Sequence, residues 1–94
     1  MSIHDQVLYV CLEKFEMGKL YSALDVARWL NMPSKHRLLR YYLNALARKG
    51  HLLRVVIHTK YGKRVYYCLP EMETYLRSMG FEYVGGVGYV MKRR

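Results

Sequence analysis

Residues 35–52 read KHRLLRYYLNALARKGHL, and this run carries the clearest helical pattern in the chain. Its apolar residues recur at a spacing of three and four, which puts them on one stripe of an α-helix. They are Leu39, Tyr42, Leu43 and Leu46. Gly50 follows the stripe and suits the left-handed backbone that ends many helices. The sequence therefore predicts a helix over 35–49 with Gly50 as its C-terminal cap.

The polar residues of the same helix fall on the opposite stripe and are typical of nucleic-acid contacts. Arginine can donate to O6 and N7 of guanine, asparagine can pair with N6 and N7 of adenine, and tyrosine can touch a thymine methyl or a phosphate. A helix N-terminus favours a phosphate oxygen. The predicted base contacts are Arg37, Arg40, Tyr41 and Asn44. The predicted backbone contacts on this segment are Ser34, Lys35, His36 and Arg48.

Two further helices are predicted before this one. In the first sixteen residues, apolar side chains recur at helical spacing with charged residues between them. Ser22 precedes a second apolar run, and Asp25 stands three residues later, which is the pattern of a capping box at a helix over 23–31. Pro33 then interrupts the chain, and Ser34 is predicted to cap the basic helix. The order helix, short turn, basic helix predicts a helix-turn-helix.

After Gly50 the period of the pattern changes from 3.6 to 2. Side chains alternate over 53–58 and again over 64–69, and the sequence KYGK lies between them at 60–63. This arrangement predicts a β-hairpin with a basic tip.

The last quarter of the chain is less regular. Pro70 ends the hairpin, and residues 71–79 have acids at their start and an arginine near their end, as a short fourth helix would. The sequence FEYVGGVGYV at 81–90 predicts a second hairpin around its adjacent glycines, before a basic end.

Composition and charge narrow the class of protein. Ninety-four residues with 52% hydrophobic and 24% charged residues predict one small folded domain, and the helices and hairpins predicted above make it α+β. The net charge is +9, and the span 26–70 contains ten basic residues and no acid. Segregation of charge favours a face that meets a polyanion, the alternative being a merely solvated basic face.

Several classes of function are excluded or disfavoured by what the sequence lacks. Cys11 and Cys68 have no metal-ligand spacing, so no metal or other cofactor is predicted; we expect buried thiols, with a Cys11–Cys68 bridge as the alternative. No phosphate-binding loop and no paired carboxylates in the basic half support catalysis, so the protein is not expected to be an enzyme. No small-molecule ligand is evident.

The sequence is expected to contain neither a membrane span nor a secretory leader, which predicts a cytoplasmic protein.

Three helices followed by a hairpin resemble the winged helix-turn-helix domain of bacterial and archaeal transcription regulators. The resemblance covers about residues 3–69, so the predicted winged-helix domain is 1–70; it rests on LYSALDVARWL at 20–30 and LRYYLNALARKGHL at 39–52. It implies that helix 35–49 enters the major groove of DNA while the hairpin tip, 59–64, lies on the backbone as the wing. The backbone contacts that it implies there are Lys60, Tyr61, Lys63 and Arg64.

The sequence leaves other functions open. A winged helix can also dock on an acidic protein, and tyrosines at 61, 83 and 89 would suit RNA or single strands if their rings were exposed. Residues 71–94 are predicted to form a C-terminal helix and a basic-ended tail, and the apolar part, 71–90, is the predicted homodimer element. Alternatively, this segment wraps its own domain.

Overall fold

The computed structural model describes residues 2–91, and the chain forms an α+β domain with four α-helices and a four-stranded mixed sheet. The helices are α1 Ile3–Lys14, α2 Ala23–Trp29, α3 His36–Arg48 and α4 Glu73–Ser78. The strands are β1 Leu53–Thr59, β2 Gly62–Cys68, β3 Phe81–Val84 and β4 Gly88–Met91. Single 3-10 turns, Pro33–Lys35 and Pro70–Met72, precede α3 and α4. The predicted order of elements is confirmed, including the second hairpin.

The capping box predicted at the start of α2 is confirmed. The Asp25 amide donates to Ser22 Oγ at 3.2 Å, and the Ser22 amide donates to Asp25 Oδ2 at 2.9 Å. The prediction that Ser34 caps α3 is wrong, because Ser34 lies inside the 3-10 turn that leads into the helix. The backbone closes that turn instead, with the Lys35 amide donating to the Met32 carbonyl at 2.9 Å.

Apolar residues cover both faces of the sheet. On one face, α1, α2 and α3 enclose a core that contains the predicted stripe of α3, with Leu39, Leu43 and Leu46 buried. On the other face, α4 packs over Val55 and Cys68. The period of two in β2 accounts for this division, because Tyr67 points to the first core and its neighbour Cys68 to the second. The middle of the sheet is therefore enclosed between α4 and the three N-terminal helices, while the first-hairpin end of β1 and β2 and most of β3 are exposed.

The strand order is β2-β1-β4-β3, and the parallel pair β1–β4 joins the two hairpins. Val55 pairs with Tyr89 and Val56 with Val90. Residues 71–91 therefore pack on the sheet of the preceding segment. Of the apolar side chains predicted to form a dimer surface there, some are buried within the chain: Met72, Leu76 and Phe81. Others stay exposed: Tyr75, Met79, Tyr83 and Val84.

Gly88 lies where β4 comes closest to β1. Its φ is +123°, and a Cβ at this position would lie 2.3 Å from the Arg54 carbonyl oxygen. A residue with a side chain would collide with the backbone of β1 and would also be strained at that φ. The parallel pairing of β1 and β4 therefore depends on a glycine at position 88.

Both cysteines are free thiols that lie in the two different cores, Cys11 under the helices and Cys68 under α4. Burial raises the pKa of each thiol from the usual 9.0 to about 12. At neutral pH both are therefore protonated, and they act as small apolar side chains.

Within residues 2–91, every helix is too short or too polar to span a membrane.

Candidate nucleic-acid interface

The outer face of α3 is basic and exposed. Leu39, Leu43 and Leu46 point into the core, so the helical repeat turns Arg37, Tyr41 and Arg48 away from it. The Tyr41 ring is 62% exposed. The prediction of an apolar stripe opposite a polar stripe is confirmed for this helix.

A groove of about 280 Å³ separates the N-terminal half of α3 from strand β2. His36 and Arg40 line it from the helix, and Lys63 and Arg64 line it from the strand. Four of the residues predicted to contact DNA therefore surround one cleft, although those on the helix are more than twenty positions from those on the strand. The positive charges of Arg40, Lys63 and Arg64 make the cleft attractive to an anion.

The tip of the first hairpin, β1–β2, is a tight turn at residues 60–61. The Tyr61 amide donates to Thr59 Oγ1 at 3.2 Å, and the Thr59 hydroxyl donates to the Gly62 carbonyl at 2.7 Å. The Tyr61 ring is 82% exposed, and Lys60 Nζ lies 5.2 Å from its centroid. The turn is shorter than the predicted 60–63, because pairing continues to Gly62 opposite Thr59. Lys63 therefore belongs to β2 and not to the turn.

Ser34 and Lys35 lie in the exposed 3-10 turn at the start of α3. His36 is half-buried, and its Nδ1 lies 3.3 Å from the Pro33 carbonyl oxygen. The three residues therefore follow one another at the end of α3 that is nearest to β2, next to the groove that His36 lines.

The basic side chains of this face are not paired with acids. The ion pairs that join described side chains are Lys19–Glu16 and Arg77–Glu73. All four partners lie outside the acid-free span 26–70. The charges on α3 and on the first hairpin are therefore free to attract an external anion without first breaking an ion pair.

Asn44 differs from the other predicted contacts, because its side chain is already bonded within the protein. Its Oδ1 accepts from the Tyr67 hydroxyl at 2.5 Å and from Arg54 Nε at 3.1 Å. A bidentate pair with adenine needs both the oxygen and the nitrogen of the amide. In this arrangement Asn44 can offer a base only its Nδ2 group.

Arg54 is the residue of this region that sequence reasoning missed. Besides Asn44 it bonds to the second hairpin, β3–β4, where its Nη1 donates to the Val87 carbonyl at 2.6 Å. The alternation of side chains along β1 could have indicated that Arg54 has a partner within the protein, because Arg54 falls on the same face as Val56, which is buried. A charged residue at such a position needs a partner from the helix above it.

We expect Asn44→Ala to lower the free energy of unfolding by about 1–3 kcal/mol, because it leaves the Tyr67 hydroxyl buried without its acceptor. Tyr67→Phe should cost less, about 1 kcal/mol, because Asn44 then keeps Arg54 as a donor. Urea unfolding of the two single variants and the double variant measures the coupling between them. Equal stability of Asn44→Ala and the wild type would contradict this network.

Neither the metal-ligating residue types nor a comparison with known proteins adds a further site. Between residues 2 and 91, no three His, Cys, Asp or Glu side chains are grouped so that they could hold a metal ion. Comparison of the chain with family models, with curated proteins and with solved structures finds no match.

Proposed function

We propose that the chain is a winged helix-turn-helix protein that binds double-stranded DNA with sequence specificity and acts as a small transcription regulator. In this proposal α3 enters the major groove and the first hairpin lies on the backbone as the wing. The observation that carries the proposal is the groove in which Arg40 of α3 meets Lys63 and Arg64 of β2. Its charges are unpaired within the described chain.

The dimensions of α3 support this placement. An α-helix with its side chains is about 10–12 Å across, and the major groove of B-DNA is about 12 Å wide. Arg37 and Tyr41 project from the outer face of α3, one helical turn apart. From there they can reach base edges, while Lys60 and Lys63 of the hairpin reach phosphates.

Two single substitutions separate base reading from backbone positioning. We expect Arg40→Ala to weaken binding to the preferred site by about 1–3 kcal/mol and to relax specificity at one base pair. Lys63→Ala should weaken binding to all sequences alike and lower the salt slope by about one unit. The measurement is affinity for a site selected from a random library and for a scrambled duplex, at three salt concentrations.

The same measurement distinguishes the competing functions. If both variants weaken every duplex uniformly, the protein is a nonspecific or architectural DNA binder. If single-stranded RNA binds more tightly than duplex, the exposed Tyr61 and Tyr83 become the candidate stacking residues, and Tyr89, which is buried, does not. If no nucleic acid binds, the basic face is a docking surface for an acidic protein.

We also propose that the protein acts as a homodimer through residues 71–90. One recognition helix covers only a few base pairs, and a second copy adds a half-site about 34 Å away. Tyr75 and Met79 are half-exposed beside an apolar groove of about 260 Å³, which Leu20, Ile57 and Met91 also line. A second copy of the chain would cover these side chains.

We expect Met79→Glu to convert the dimer to a monomer, because dimer formation would then bury an unpaired carboxylate. Tyr9→Glu, which adds a carboxylate to an exposed position of α1, should leave the dimer intact. Sedimentation equilibrium of the three proteins checks this. A wild-type protein that is monomeric at the highest concentration measured would contradict the dimer.

A further inference from the structure

The second hairpin lies against the C-terminal half of α3. A groove of about 230 Å³ lies between them, lined by Ala47 and Arg48 on the helix and by Tyr83 and Gly86 on the hairpin. The first hairpin flanks the other half of α3 through His36 and Arg40. Residues 36, 40, 44 and 48 follow one another at intervals of four, so both hairpins flank the same side of the helix.

The tips of the two hairpins point to opposite ends of the sheet. Strand β4 runs parallel to β1, with Val55 opposite Tyr89, so the turn that precedes Gly88 lies level with the start of β1. The tip of the first hairpin follows the end of β1 at Thr59. Six residue steps from Leu53 to Thr59, at a rise of about 3.3 Å, separate the two tips by about 20 Å. This distance exceeds the major-groove width of about 12 Å.

The surface of the second tip suits contact with the DNA backbone. Gly85 and Gly86 are exposed, and no other atoms surround the positions that their Cβ atoms would occupy. A sugar-phosphate chain can therefore approach the main chain closely. Arg48 lies across the groove, is exposed and can bond to a phosphate oxygen. The Tyr83 ring, 58% exposed, lies 5.3 Å from the Tyr89 ring between centroids, on the face of the sheet that α4 covers, so the tip itself offers mainly its backbone amides.

Arg54 holds this tip against α3. Its guanidinium donates to the Val87 carbonyl in the turn and to Asn44 on the helix. The tip is therefore held in a fixed position relative to α3. A DNA contact made by the tip and a DNA contact made by the helix consequently have a fixed spacing.

We propose that the tip of the second hairpin, residues 83–87, contacts the phosphate backbone of the same duplex, across the major groove from the first hairpin. The inference rests on the proposed function. It assigns a DNA contact to a segment that sequence analysis predicted only as a dimer element. The partner is duplex DNA, and an acidic protein at this tip is an outcome that the test would reveal.

The test uses Gly85→Glu, which puts a carboxylate at the tip without a clash, and Gly85→Gln as its neutral control of equal size. Tyr9→Glu, on the exposed surface of α1 and outside the proposed DNA and dimer contacts, controls for net charge. Affinities are measured for the selected site within a long duplex and within duplexes trimmed by two base pairs at a time from each end. Urea unfolding of each variant accompanies the binding data.

We expect Gly85→Glu to bind the long duplex about tenfold more weakly than the wild type, through the loss of one phosphate contact and repulsion by the neighbouring phosphates. Gly85→Gln and Tyr9→Glu should each change the affinity by less than about threefold. Trimming one flank should remove the difference between Gly85→Glu and Gly85→Gln.

Three results would overturn the inference, and they are distinguishable. Binding of Gly85→Glu equal to that of the wild type on every duplex overturns the second contact and leaves the proposed function standing. Equal losses in Gly85→Glu and Tyr9→Glu also overturn it, because net charge then explains both. Absence of wild-type binding to any duplex overturns the proposed function and this inference with it.

Discussion

Gly88→Ala is expected to lower the free energy of unfolding by about 2–6 kcal/mol. Alanine at φ +123° is strained by about 1–3 kcal/mol, and its Cβ would lie 2.3 Å from the Arg54 carbonyl oxygen. The backbone of β1 cannot yield without disturbing the pair Val55–Tyr89, so overpacking adds about 1–3 kcal/mol. The expected outcome is a protein in which the second hairpin no longer pairs with β1.

Gly85→Ala is the matched control for this change. Gly85 lies in the same hairpin, its backbone is not left-handed, and nothing surrounds the position of its Cβ. Its replacement should change stability by less than about 1 kcal/mol. Urea unfolding followed by circular dichroism compares the two variants with the wild type. A Gly88→Ala protein as stable as Gly85→Ala would show that β4 does not approach β1 as closely as described.

Affinity for duplex DNA is expected to fall about 500-fold when salt is raised from 50 to 200 mM. The predicted backbone contacts include five permanent cations: Lys35, Arg48, Lys60, Lys63 and Arg64. Each neutralised phosphate contributes about −0.9 to the slope of log affinity against log salt, so five give about −4.5. A fourfold rise in salt then produces the stated loss.

Lys14→Ala is the control for the salt dependence. Lys14 is an exposed cation at the end of α1, outside the acid-free span. Its removal should leave the slope unchanged, whereas Lys60→Ala should reduce it by about one unit. A wild-type slope between 0 and −2, measured with a fluorescent duplex, would contradict a backbone contact made by this set of residues.

Local patterns account for most of the secondary structure. The capping box of Ser22 and Asp25 and the left-handed Gly50 depend on a few adjacent residues, so the ends of α2 and α3 could be predicted closely. Ser34 has the right residue type for a cap, yet Pro33 begins a 3-10 turn that closes through the backbone. The competing local structure explains that error.

The parallel pairing of β1 and β4 could not be predicted in the same way. It joins residues more than thirty positions apart, and its requirement for Gly88 arises only from the neighbouring Arg54 carbonyl. Periodicity can place Arg40 on the outer side of a helix, but it cannot show which strand lies beside it. Only the tertiary structure therefore shows two features of the site: the groove shared by Arg40, Lys63 and Arg64, and the hydrogen bonds of Arg54.

The most direct test of DNA binding by α3 and the first hairpin is a titration of the protein with random-sequence fluorescent duplex at 50 mM salt, with and without excess polyglutamate. We expect binding that persists in the presence of polyglutamate, because α3 and the hairpin match a duplex in shape as well as in charge. Absence of binding, or its complete loss to polyglutamate, would contradict a DNA-binding function for this face and indicate an acidic protein partner.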